Sequence, residues 1–199
     1  METPKLPFPP RICNRTRREI HESEAVVVIN LKIVGIDPGP VESAFCELNC
    51  ESFPIGGNST IGHAGIVYND QMFREFDQLS VVPSPSEPYT SRIFVFEKVE
   101  SFGMPVGADV FETVWWTGRF MQYIYDQIGV PPLRITRREI KLHLCNSARA
   151  KDANIRQALI DRYGDKGTKK NPGQTYGFKR DMWSALAIAT TFYEIQEAR

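Results

Sequence analysis

Long apolar runs, a cysteine framework and internal repeats are all missing from this chain of 199 residues. No stretch approaches the ~20 consecutive apolar residues needed to span a bilayer. The first 23 residues, polar, basic-leaning and carrying four prolines, contain no signal-peptide core. A soluble cytoplasmic protein without a membrane partner is therefore expected. The four cysteines (Cys13, Cys46, Cys50 and Cys145) show no metal-ligand spacing. Cys46 and Cys50 lie four apart in a predicted strand, so they share a face and fit ordinary packing. With 42% apolar residues and no linker, residues 1–24 read as a flexible arm and 25–199 as one globular domain.

Net charge is also absent, but only on average. Residues 24–133 carry 14 acidic and 5 basic side chains, whereas residues 134–180 carry 4 acidic and 13 basic ones. A basic segment beside an acidic body is the electrostatic footprint of a polyanion-binding surface. A solvated helical face is the plainer reading, and nine excess positive charges in that segment argue against it.

Structure is expected to begin with "AVVVINLKIVGID", a β-branched run ending at Asp37. "SAFCEL" and "GHAGIVYN" follow as the next strands of an antiparallel meander, separated by the loop "ESFPIGGNSTI". "QMFREFDQLS" reads as a short helix and "VVPSPSEPYTS" as a loop. In "RIFVFEKVE", Ile93, Val95 and Glu97 point one way and Phe94, Phe96 and Lys98 the other. A long helix is predicted over 109–127, opened by a capping-box-like Asp109 and Glu112. Its buried stripe should be Val110, Phe111, Val114, Trp115, Met121, Ile124, Tyr125 and Ile128, with Gly118 letting it approach the sheet. "PLRIT" is a short strand, and "TRREIKLHLC" and "AKDANIRQALIDRYG" are basic amphipathic helices. A Gly- and Lys-rich loop leads to an apolar last helix, "DMWSALAIATTFYEIQEA". The tally is an α/β fold.

Three acids stand out. Asp37 ends a strand, Glu97 shares a strand face with core residues, and Asp181 opens the last helix. A carboxylate facing a core is costly unless a cation or metal compensates it. Lys32 and Lys98 are candidate partners, but they point to the opposite faces of their own strands. A shared divalent ion is the alternative, since hard oxygen ligands suit Mg²⁺ or Mn²⁺. Taken singly, Asp37 in "DPG" also reads as a turn residue and Asp181 as a helix N-cap. Glu97 has the weakest such reading.

The order of "VGIDPG", then "FVFEKVESFGMPVGADVFETVWWTGRF", then "ITRREIKLHLCNSARAKDANIRQALI", then "DMWSALAIA" resembles the RuvC-type Holliday-junction resolvases of the RNase H-like superfamily. The second segment is most like phage-encoded relatives. The resemblance covers about residues 31–195. It implies a three-layer fold, with a five-stranded mixed sheet flanked by helices. It also implies hydrolysis of branched DNA by two Mg²⁺ ions (or Mn²⁺), with Asp37 bridging and Glu97 and Asp181 flanking. Lys141, Arg149, Lys151, Lys169, Lys170, Lys179 and Arg180 are the implied DNA-backbone contacts. A homodimer is implied too, with Trp116 as a candidate exposed contact, and so is action in the cytoplasm, that of the host if the chain is phage-encoded. No nucleotide cofactor is implied.

One departure stands out: Ser184 occupies the second, usually acidic, position of the last motif. Glu100 helps only if its strand bends. The rival readings are an RNase H-like nuclease acting on RNA–DNA hybrids or flaps and a catalytically inactive DNA-binding module. An actin-like nucleotide binder is a third, but it would need a second phosphate loop and a duplicated domain.

Overall fold

A computed structural model describes residues 30–50, 59–80, 90–100, 103 and 105–197. The expected arm, most of the loop after the second strand and most of the Pro/Ser-rich loop lie outside these residues. The chain forms β1 (Asn30–Asp37), β2 (Glu42–Cys50), β3 (Ser59–Tyr68), α1 (Met72–Ser80), β4 (Thr90–Lys98), α2 (Ala108–Ile128), β5 (Leu133–Thr136), α3 (Arg137–Cys145), α4 (Asp152–Tyr163) and α5 (Met182–Glu197). The strands make one mixed sheet in the order β3-β2-β1-β4-β5. β1, β2 and β3 pair antiparallel as the expected meander, while β4 and β5 join parallel to β1.

β1 is central because Ile33, Val34 and Ile36 are β-branched and buried on both sides of the sheet. One face is aromatic: Phe45, Phe94 and Phe96 meet Phe76 of α1 and Phe120 of α2. The other is built from small and aliphatic groups. Ile33, Ala44, Cys46, Cys50 and Val95 lie beneath α3, α4 and the alanine run of α5. Both cysteines are thus packing residues on a shared face, as their spacing predicts. The result is the expected three-layer α/β arrangement.

The small face permits unusually close contact. A Cβ on Gly35 would lie 2.2 Å from the Ala185 carbonyl oxygen and 2.8 Å from the Ala189 nitrogen. Only glycine at this point of β1 lets α5 rest directly on the strand.

α2 departs from expectation. Its N-cap is Gly107 without a side-chain hydrogen bond, so the predicted Asp109/Glu112 box does not form. Its buried residues are Thr117, Phe120 and Ile124. Phe111 (65% exposed), Val114, Trp115 (55%) and Tyr125 face outward instead. Gly118 lies on that outer side, with nothing within 4 Å of an added Cβ. Trp116, expected outside, is half-buried against Phe73 and Phe120. The physical reason is that α2 carries two apolar stripes, and the aromatic core beneath the sheet takes the one containing Phe120.

Candidate active site at the ends of β1 and β4

β1 and β4 run parallel with Ile36 opposite Phe96. The next residue of each strand, Asp37 and Glu97, therefore emerges at the same end of the sheet. Strand alternation puts both on the α5 side, Glu97 with Ile93 and Val95 as the sequence predicts. The Gly35–Ala185 contact seats the first turn of α5 over this point. Asp181 begins that turn, its carbonyl accepting from the Ala185 N–H at 2.9 Å.

Asp37 is the electrostatic node. Its carboxyl is pushed up to about 7, first by burial and then by the neighbouring charges of Glu97 and Asp181. The Arg137 guanidinium and a hydrogen bond from Ser184 act in the opposite direction. Burial also raises Glu97, against the pull of Arg137 and, more weakly, Lys141. The expected lysines engage other partners: Lys32 pairs with Glu47 at 2.9 Å and Lys98 with Glu100 at 2.9 Å.

Arg137 is the site residue that motif reading missed. Its Nη1 donates to Glu97 Oε2 at 3.2 Å and to Ser184 Oγ at 3.3 Å, and its Nη2 donates to Asp152 Oδ1 at 2.5 Å. The backbone presents it accurately. Thr136 and Glu139 form a full capping box at the start of α3, with Glu139 N–H donating to Thr136 Oγ1 at 3.1 Å and Thr136 N–H to Glu139 Oε2 at 2.7 Å. The pattern Thr-x-x-Glu could have revealed that helix start, but not which of its basic residues turns inward.

The turn after Asp37 is also fixed. Asn69 Nδ2 donates to the Gly39 carbonyl at 3.0 Å, Ser43 Oγ donates to Asn69 Oδ1 at 2.6 Å, and the Gly39 N–H donates to Ser43 Oγ at 3.2 Å. This partly buried ring holds the "DPG" turn through side chains other than Asp37.

Among the described residues, no three His, Cys, Asp or Glu side chains form a ready-made metal cage. Glu97 and Asp181 are close enough for their charges to act on Asp37, but Glu97 is drawn towards Arg137 and Asp181 is exposed, as mutual repulsion of like charges favours. Their hard oxygens are the donor type that a Mg²⁺-like ion takes. The side occupied by the Ser184 hydroxyl and the Arg137 guanidinium suits a second far less.

The predicted DNA-contacting residues all fall on the α3–α4 region and the loop before α5. Lys141 is close enough to act on Glu97. Lys151 is the N-cap of α4, adjoining Asp152, and Arg149 is exposed just before it. Lys169 and Lys170 occupy the exposed turn closed by the Gly167–Pro172 bridge. Lys179 is exposed, and Arg180, beside Asp181, donates to Glu42 at 3.3 Å. The loop is anchored through Trp183, which packs on Phe178 and carries the Arg156 guanidinium and the Lys166 ammonium over its ring. No helix among the described residues is long and apolar enough to cross a membrane.

No protein-family model and no curated protein matches the sequence. Solved structures do match. RuvC from Thermus thermophilus is similar with a TM-score of 0.59 and 16% identity, over 84% of this chain and 96% of that one. The same organism's RuvC in complex with Holliday junction substrate gives 0.60 and 17%, over 84% and 95%. At such identity the likeness is one of architecture, and the chain has the RuvC-type, RNase H-like fold.

Proposed function

We propose that this chain is a metal-dependent, structure-selective endodeoxyribonuclease that cleaves Holliday junctions or related branched DNA. One observation carries the reading: Asp37 and Glu97, both with carboxyls raised by burial, adjoin at the ends of parallel strands, with Asp181 on the facing helix. A strongly perturbed acid beside a second raised one at one sheet end marks a candidate for chemistry rather than packing. The basic α3–α4 surface beside them supports a polyanionic substrate. The fold shared with a junction-bound RuvC supports branched DNA as that substrate.

Asp37, Glu97 and Asp181 would hold Mg²⁺, or Mn²⁺ in its place, which when bound polarises the phosphodiester and makes water a better nucleophile. In the hydrolysis, the oxygen of water bonds to phosphorus. The bond to the leaving sugar oxygen breaks with its electron pair, and that oxygen gains the proton that water loses. Lys141, Arg149, Lys151, Lys169, Lys170, Lys179 and Arg180 position the backbone without reading bases. The exposed stripe of Phe111, Val114, Trp115 and Tyr125 on α2 supports a homodimer, in which two sites would cut related strands. The phage-like second segment supports action in a host cytoplasm.

The test is purified protein with Mg²⁺ on a labelled four-way junction, beside flap, RNA–DNA hybrid and linear duplex controls. Junction cleavage that a chelator abolishes is expected. Preferential cutting of hybrid or flap would redirect the reading within the fold. Ser184 in an acidic position favours one competitor, an inactive junction-binding module, and binding without metal-dependent nicking would establish it.

A further inference from the structure

We propose that Arg137 serves as the fixed cation on the Ser184 side of the site, so that each chain works with one divalent ion and a guanidinium instead of two ions. This rests on the nuclease reading above. At Ser184 the last helix contributes no carboxylate to that side, only a hydroxyl that donates to Asp37. Besides a share of Asp37, a second divalent ion there would find a neutral hydroxyl and one oxygen of Glu97 as protein donors. Arg137 already takes both through Nη1, while Asp152 holds Nη2. Any second ion would have to approach a guanidinium at contact distance and displace it from two partners.

The arginine is poorly placed to leave. It occupies the first turn of a helix whose start is set by a complete capping box, and three polar side chains from β4, α4 and α5 converge on it. It is also not sealed in, since its side chain is 26% exposed. An exposed edge can donate to a phosphate oxygen or to the leaving sugar oxygen as charge grows there. Guanidinium is suited to this role: it stays charged at all working pH values, is planar, and offers several donors. Donors fixed before the reaction stabilise developing charge without reorganisation.

The experiment counts ions directly. Mn²⁺ is titrated into the full-length chain and followed by electron paramagnetic resonance, counting only sites lost in Asp37→Asn. One Mn²⁺ per chain is expected for the wild type, and two for the double variant Arg137→Gln/Ser184→Asp, which removes the guanidinium and restores a carboxylate. The order of junction cleavage in Mg²⁺ should rise from about one to about two in parallel. Arg137→Gln alone should lower kcat by about 10²–10³-fold, with junction Kd changed less than threefold and partial recovery in Arg137→Lys.

Two Mn²⁺ in the wild type, or an unchanged kcat in Arg137→Gln, would overturn the inference. The wild-type count needs only the Asp37→Asn reference to fold, and a melting curve of that variant checks this. A wild type that cuts junctions with two ions sinks only the role of Arg137. A wild type that cuts no branched or hybrid substrate removes the nuclease reading and this role with it.

Discussion

The two faces of the sheet are built to opposite specifications. Beneath it, Phe45, Phe76, Phe94, Phe96 and Phe120 fill the space to α1 and α2 with rings, for instance Phe76 at 5.4 Å from Phe120 and 6.2 Å from Phe94. Above it, Gly35, Ala185 and Ala189 bring α5 into contact with the strand backbone itself. Rings bury much apolar surface and supply stability. Backbone-to-backbone contact buries little, but it fixes a helix to within a fraction of an ångström, as a site of converging carboxylates requires. Both faces bury apolar core, but the α5 face also sets the geometry of the site, at a cost in electrostatic repulsion.

The largest test of that division is Asp37→Asn, which should act oppositely on activity and stability. Junction cleavage should fall on the order of 10⁴-fold, about 5.5 kcal/mol, with junction affinity kept within about tenfold. Stability should rise. Asp37 ordinarily titrates at 3.8 and is raised to about 7 in the fold, so the folded state retains the proton longer than the unfolded chain. Wild-type stability therefore declines as pH climbs from about 4 to about 7 and stays low above that. Asparagine removes this deficit, by up to about 4 kcal/mol. In chelator, the variant should melt higher than the wild type at pH 8 and equally at pH 4. Equal melting at both values would mean that the carboxylate bears no strain.

Phe76→Ala probes the other face. Opening a ring-sized hole should cost about 4 kcal/mol of unfolding free energy by denaturant titration, while cleavage per folded molecule stays within about twofold. A comparable loss of cleavage would break the distinction between the faces. Gly35→Ala comes next. Its methyl would meet the Ala185 carbonyl, α5 would have to lift, and about 2–3 kcal/mol of stability should be lost. Cleavage should drop at least tenfold, because small displacements are costly in a positioned site. The smallest effect is expected from replacing Lys169 and Lys170 with alanine. Junction affinity should weaken, and the slope of its logarithm against log salt should flatten by up to about two units, with stability unchanged. An unaltered slope would remove that turn from the backbone track.

Much of the site was legible because period-two alternation is a strict rule. It put Glu97 on the face of Ile93 and Val95, and with β1 and β4 adjacent and parallel it put Asp37 beside Glu97. α2 was not legible, since apolar residues line both of its sides and periodicity alone cannot choose between Trp115 and Trp116. The choice was made by Phe73 and Phe76 of α1, distant in sequence. Arg137 was hidden among 13 basic residues between positions 134 and 180. What distinguishes it is the convergence of Glu97, Asp152 and Ser184, which only the folded chain brings about. The ring of Ser43, Asn69 and Gly39 was hidden for the same reason, its members lying up to 30 residues apart.

The clamp of Arg156 and Lys166 about Trp183 has a mechanical meaning. Trp183 belongs to the helix that begins beside Asp181, so the turn bearing Lys169 and Lys170 is tethered to the acidic end of the sheet itself. A strand gripped by those lysines would be held at a set separation from the acids, and the protein would measure as it grips, like the jaw and stop of a gauge.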